Sequence, residues 1–283
     1  MSNRKDNSKL YLKILLIFTL IIAALITSVL FIFPTLYENE CKTRINEDLE
    51  EKLKGGILTS NIRVIQRKSK IIGDTEELTF SAGASGVIFE KNAGVYYALT
   101  AYHVVSDGDE NTKFLIQPYT APSFSEYTDT VLEYYKQFPA AKVEYYSKEY
   151  DLSVLSFHSA QKLETVNIAE KNAEKDAEIA VISNPEGKSF VHTFGSILSN
   201  DMTCFSDGGG AESSYVIKHS TYIAPGSSGS AVLSFNGENV ETVGINIGGG
   251  TDFMGRFSYG AMIPCQQIKQ FLYEWKWEKA LPN

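Results

Sequence analysis

Apolar residues follow three patterns along this chain. Residues 14–33 read ILLIFTLIIAALITSVLFIF, without a charge. At helical rise such a run spans roughly 30 Å, the hydrocarbon thickness of a bilayer. From about residue 60 to 263 the apolar positions come instead in short runs. Several alternate with polar positions and are separated by turn residues, which is the period of strands. These runs fall at 62–66, 85–90, 95–100, 113–117, 141–146 and 152–157, and again at 178–183, 190–198, 215–219, 231–235, 240–247 and 258–263. Near the C-terminus, Ile268, Phe271, Leu272 and Trp275 recur at i, i+3, i+4 and i+7. That is one face of a helix, which Pro264 can start.

Six strands and then six strands match two antiparallel six-stranded barrels. The predicted fold is therefore all-β: two barrels and a C-terminal helix, preceded by one N-terminal transmembrane helix. The predicted divisions are a tail at 1–13, a membrane anchor at 14–36, a charged stalk at 37–60 and a folded domain at 61–283. Within that domain the first barrel covers about 61–165, the second about 170–263 and the helix 264–279. In the stalk, acid precedes base from Ile45 to Lys54 and Gly55-Gly56 follows, which suits a short helix with a stop. It reads as solvated, with a short coiled-coil contact as the other reading. Residues 119–140, rich in aromatic and polar side chains, read as a surface insertion between strands.

Charge adds an orientation. Residues 1–36 carry four basic and one acidic side chain, net +3, and the other 22 basic and 33 acidic residues leave net −11. The positive-inside rule puts the N-terminus in the cytoplasm and the bulk of the chain outside it. A long signal peptide is the other reading of the apolar run. An acidic domain argues against nucleic acid or anionic lipid as partner. The three cysteines, Cys41, Cys204 and Cys265, are too few for a disulfide scaffold and lack zinc-ligand spacing. Whether Cys204 and Cys265 pair is left open. Gly208-Gly209-Gly210 and Gly248-Gly249-Gly250 do not sit where a strand opens into a helix, so neither reads as a phosphate-binding loop. No metal and no cofactor are expected.

Three segments carry candidate chemistry. Tyr222-Ile223-Ala224-Pro225-Gly226-Ser227-Ser228-Gly229-Ser230 is a glycine-flanked turn that presents a serine ahead of an apolar strand. Thr100-Ala101-Tyr102-His103-Val104-Val105 ends another strand on a histidine, and Asp151 stands at the mouth of a third. A serine hydroxyl needs a base to take its proton, a histidine serves near neutral pH, and a carboxylate orients that histidine. Ser228 is thus the candidate nucleophile, His103 the general base and Asp151 the orienting group.

In their order His, Asp, Ser, these segments resemble the trypsin-like serine proteases of the chymotrypsin fold, closest to the HtrA and glutamyl-endopeptidase branch. Val243-Gly244-Ile245-Asn246-Ile247-Gly248-Gly249 and Phe257-Ser258-Tyr259-Gly260-Ala261-Met262-Ile263-Pro264 extend the resemblance, which covers roughly residues 60–280. It implies an oxyanion hole from the backbone N–H groups of Gly226 and Ser228. It also implies a substrate strand pairing with Gly244, Ile245, Asn246 and Ile247, and a specificity pocket over Tyr222. Tyr222 stands where trypsin-type enzymes carry an acid, and Asn246 where glutamate-specific ones carry a histidine; a neutral or small substrate side chain is expected. The chain ends soon after the last helix, without the PDZ domain of full HtrA enzymes. The resulting expectation is a membrane-anchored, extracytoplasmic serine endopeptidase acting on protein or peptide substrates. The alternative is a silent protease-like domain that binds peptides or a partner. The sequence leaves the oligomeric state open.

Overall fold

The computed structural model describes residues 2–122, 124, 130–205, 214–236 and 239–280. The glycines at 208–210, and residues 123 and 125–129 of the expected insertion, lie outside these.

The N-terminal apolar run forms α1 (Ser2–Thr27), a π-helical turn Ser28–Ile32 and α2 (Phe33–Thr43). This stretch is long and apolar enough to cross a membrane, and its most apolar part is not covered by the rest of the protein.

Seven strands make the first sheet: β1 (Asn61–Ile72), β2 (Thr75–Phe80), β3 (Ala84–Asn92), β4 (Val95–Ala101), β5 (Thr112–Pro118), β6 (Ala140–Ser147) and β7 (Leu152–His158). Their order is β2-β1-β3-β4-β7-β6-β5, and β1 also pairs with β5 from Ile62↔Pro118 to Lys68↔Thr112. That second pairing closes six of the strands into a ring. The second sheet contains β8 (Asn167–Ile168), β9 (Glu178–Ser183), β10 (Val191–Ser196), β11 (Thr203–Phe205), β12 (Ser214–His219), β13 (Ala231–Asn236), β14 (Asn239–Thr251) and β15 (Phe257–Pro264). Its order is β10-β9-β13-β14-β15-β12-β11, with β8 beside β14. Here the return contact is a single bridge, Ile197↔His219, flanked by Leu198 N–H to the Lys218 carbonyl at 2.9 Å and Ser220 N–H to the Ser196 carbonyl at 2.9 Å.

All twelve predicted strands are present. The additional ones, β2, β8 and β11, are short or polar and lack a buried apolar face of their own. Many runs show little alternation because both faces are buried. Along β4, Tyr96 and Ala98 point into the first barrel, while Tyr97, Leu99 and Ala101 join a cluster between the barrels. Along β9, Ile179 and Val181 fill the second barrel, while Ala180 and Ile182 reach the same shared cluster. Period-two geometry thus assigns each strand to two cores at once.

The C-terminal helix α5 (Cys265–Ala280) begins one residue after Pro264, which is the last residue of β15 and pairs with Gly244. Its stripe reaches both barrels. Trp275 sits edge-on to Phe89 at 5.9 Å and beside Tyr97 at 5.4 Å, and Phe271 lies 5.2 Å from Tyr145, all in the first barrel.

The stretch after α2 departs from a solvated stalk. A helix α3 (Glu47–Leu53) is capped by the Asn46 side chain, which accepts from Leu49 N–H at 3.1 Å. Leu49 and Leu53, one turn apart, are buried in the inter-barrel cluster. In the described part of the insertion, α4 (Val131–Lys136) buries Tyr134, and Phe138 follows; both pack against Ile65 and Leu115. The three cysteines are free: Cys204 is exposed, and Cys41 and Cys265 are buried.

Candidate active site

The register of β4 with β7 brings two predicted residues together. Ala101 pairs with Leu152, so the residues just after β4 meet those just before β7. His103 sits in a 3₁₀ turn (Tyr102–Val104), and Asp151 accepts from it twice. The His103 backbone N–H donates to Asp151 Oδ1 at 2.9 Å, and Nδ1 lies 2.7 Å from Oδ2. The Tyr102 N–H donates to the Asp151 carbonyl at 3.0 Å. Asp151 is buried, and its φ of 49° places it in a conformation few non-glycine residues adopt. Such strain persists where surrounding contacts over-determine it. The bonds from residues 102 and 103 do so. Bonding to Oδ2 places the proton on Nδ1 and leaves Nε2 as the basic nitrogen.

The second barrel contributes the serine turn between β12 and β13. Gly226 (φ 101°) and Gly229 (φ 86°) hold positive dihedrals there. A Cβ at Gly226 would collide with the Asn184 carbonyl, and one at Gly229 with the Ser85 carbonyl. Only glycine fits either position. Within the turn, Ser227 N–H donates to the Ala224 carbonyl at 2.9 Å, Gly229 N–H to the Asn246 carbonyl at 2.7 Å and Ser230 N–H to the Ser227 carbonyl at 3.1 Å. Among the described residues, the N–H groups of Gly226 and Ser228 meet no backbone acceptor.

Two residues that the sequence reading did not single out hold this turn. Ser85 N–H donates to the Ser228 carbonyl at 2.8 Å, and Ser85 Oγ donates to the Gly226 carbonyl at 2.9 Å. Asn184, from the second barrel, donates to Ser85 Oγ through both its backbone N–H and Nδ2, at 3.0 Å each. Behind the turn lies His219, fully buried, with Nε2 3.3 Å from Asn246 Oδ1. Burial pushes the His219 imidazole down to about 4, so it is neutral at ordinary pH. The signal for Ser85 was its place in a run of small residues, 81–86, directly before an apolar strand. Asn184 and His219 carried no local signal.

His103 and Ser228 line one cavity of about 450 Å³ at the junction of the barrels. Tyr222 forms part of it, with Phe257 edge-on at 5.3 Å. Ile247 and Gly248–Gly250 supply another side.

The remaining residues expected to contact substrate lie elsewhere. Gly244 and Ile245 pair with Val232 and Ala231 of β13 on one side and with Pro264 and Ile263 of β15 on the other. Their backbone is committed to the barrel. Asn246 is buried and clamps the serine turn: its N–H donates to the Ser230 carbonyl at 2.9 Å and its Nδ2 to the Ser227 carbonyl at 3.2 Å. From residue 248 onward β14 pairs with β15, and Gly248–Thr251 border the cavity. The edge open to an added strand is therefore 247–251 rather than 244–247. The shift comes from β13, which covers β14 as far as Ile245.

Comparison with known proteins bears on the fold and the family. The family model described as trypsin-like peptidase domain matches residues 84–245. The serine protease Do-like HtrA of Lactococcus lactis subsp. lactis (strain IL1403) is 26% identical over 169 residues. That alignment covers 58% of this chain and 37% of the relative, so the chain spans little more than a third of that protein. Among solved structures, the Rv3671c protease in its inactive form aligns with a TM-score of 0.55 at 16% identity, over 81% of this chain and 96% of that one. A serine-to-alanine variant of Rv3671c from M. tuberculosis H37Rv, also inactive, aligns with a TM-score of 0.55 at 16% identity, covering 80% and 90%. At this identity the structures speak to the fold.

Proposed function

The chain belongs to the trypsin-like peptidase family, and from that premise we propose that it is a membrane-anchored serine endopeptidase that works outside the cytoplasm. The observation that carries the reading is the two-point bond from His103 to a buried Asp151, facing the same cavity as Ser228.

In this reading His103 Nε2 takes the Ser228 proton as Oγ attacks a peptide carbonyl. Asp151 keeps the Nδ1–H tautomer and stabilises the imidazolium that forms. The N–H groups of Gly226 and Ser228 stabilise the oxyanion. His103 then protonates the leaving amine, and water releases the acyl group by the same steps in reverse. The substrate backbone adds as a strand along 247–251 and places one side chain over Tyr222. The membrane part of the proposal is supported by the apolar N-terminal helix, by the basic residues before it and by the acidic domain after it.

The test is covalent labelling of the full chain in detergent with a fluorophosphonate probe, beside Ser228→Ala. The full chain is required because Leu49 and Leu53 belong to the domain core. The expected result is labelling of wild type only, together with loss of peptide cleavage in Ser228→Ala by about 10⁴-fold or more. A well-folded sample that neither labels nor cleaves would overturn the enzymatic reading and leave a peptide-binding domain.

A further inference from the structure

The cavity over Tyr222 is not built by the two barrels alone. Glu38, on α2, is part of its lining together with His103 and Ser228. The Glu38 side chain is only 18% exposed and accepts from Lys42 Nζ at 2.5 Å, one turn further along. The same ammonium lies 4.7 Å from the centre of the Tyr222 ring. One ion pair thus bridges α2 and the aromatic part of the cavity.

The helix is anchored there. Arg256 stands between Gly255 and Phe257, which both line the cavity. Its guanidinium is fixed by Asp252 Oδ2 at 2.8 Å and donates to the Leu30 carbonyl at 2.7 Å, the Phe31 carbonyl at 3.0 Å and Thr35 Oγ1 at 3.3 Å. Three bonds from the cavity rim, two to the π-helical turn just before α2 and one to Thr35 on α2, set this helix as a wall. It does not act as a plug, because about 450 Å³ of cavity remains beside Glu38.

Charge decides what such a wall does. Among the described lining residues the acidic side chains are Glu38 and the more exposed Glu186, with no lysine or arginine. Alone, a carboxylate there would draw basic substrate side chains and repel acidic ones. Lys42 neutralises it from just outside the lining. We infer that the Glu38–Lys42 pair on α2 sets the charge preference of the substrate side-chain pocket, favouring an uncharged side chain. This inference rests on the peptidase reading above. It makes α2 a specificity-determining element. Removing either member of the pair gives the pocket the charge of the other.

The test uses the full chain in detergent and peptides that differ only in the side chain before the cleaved bond: leucine, lysine or glutamate. Lys42→Met is expected to raise the lysine-to-leucine ratio of kcat/KM by about tenfold, and Glu38→Gln the glutamate-to-leucine ratio by about tenfold. The double reversal Glu38→Lys with Lys42→Glu is expected to bring both ratios back to within about twofold of wild type. The same substitutions are placed in Ser228→Ala, and peptide affinities are measured by fluorescence anisotropy. Ratios that stay within about twofold in both cleavage and affinity overturn the inference, even if the fluorophosphonate labels Ser228. Affinities that swing as stated, in a protein that neither labels nor cleaves, support it and overturn the peptidase reading alone.

Discussion

Ser85 in the first barrel holds the backbone of Ser228 in the second. Its N–H donates to the Ser228 carbonyl at 2.8 Å, and its hydroxyl donates to the neighbouring Gly226 carbonyl at 2.9 Å. The candidate nucleophile is therefore positioned across the barrel interface. Ser85→Ala removes the hydroxyl, leaves the Gly226 carbonyl and the Asn184 backbone N–H short of a partner, and takes from Asn184 Nδ2 its shortest bond. The expected cost is about 2–3 kcal/mol of stability, with a drop in kcat that exceeds the change in KM. Urea denaturation and steady-state kinetics on one preparation check both.

Asp151→Asn separates chemistry from folding. Asparagine has the same size and is among the few residues that accept a φ near 49°. The carboxylate that selects the His103 tautomer is gone, however. Turnover should fall by about 10⁴-fold, with a melting temperature within a few degrees of wild type. Asp151→Ala, which loses both the bonds and the tolerance for positive φ, should melt clearly lower. Thermal melts and kcat for the pair of variants decide it.

His219 predicts a pH dependence of stability. Its folded value, about 4, lies below the ordinary 6.5 of the unfolded chain, because burial penalises the imidazolium. Between these values the unfolded state binds the extra proton. Stability from this group is therefore complete above pH 6.5 and declines as pH falls toward 4. The loss should be on the order of 3 kcal/mol across that window. Melting temperatures between pH 7 and 4.5 should fall steeply in wild type and less steeply in His219→Gln.

Trp275 fastens α5 to the first barrel through Phe89 and Tyr97. It is buried in the inter-barrel cluster. Trp275→Ala should cost about 3–5 kcal/mol. Because the cluster joins both barrels, activity should be lost at a lower urea concentration than in wild type, together with the global unfolding signal. Parallel activity and fluorescence titrations test that coincidence.

Much of the fold was legible because strand period and helix period are local properties. The twelve runs became strands, and the stripe of Ile268, Phe271 and Trp275 became the buried face of α5. What the pattern did not reveal was its partner. The same stripe reaches both barrels, which its period alone does not specify. Leu49 and Leu53 were overlooked beneath a charged run, since two apolar residues one turn apart are too few to stand out. At the candidate site, His103, Asp151 and Ser228 carried their own local frames. Ser85, Asn184 and Asn246 act through a few hydrogen bonds to residues distant in the chain, and such bonds leave no periodic trace.

The sequence by itself determined which segments become strands and helices, where an apolar helix stands and which three side chains are candidates for one chemistry. Each depends on neighbours within a few positions, where steric and hydrophobic periodicity act directly. The tertiary structure alone decided which part of β14 borders the cavity, which residues hold the serine turn and that α2 walls the pocket with Glu38. Those outcomes depend on how far β13 covers β14 and on where Arg256 meets α2. Contacts between segments more than 200 residues apart, such as those of Arg256 with Leu30 and Phe31, depend on the packing of the whole chain and leave no local pattern.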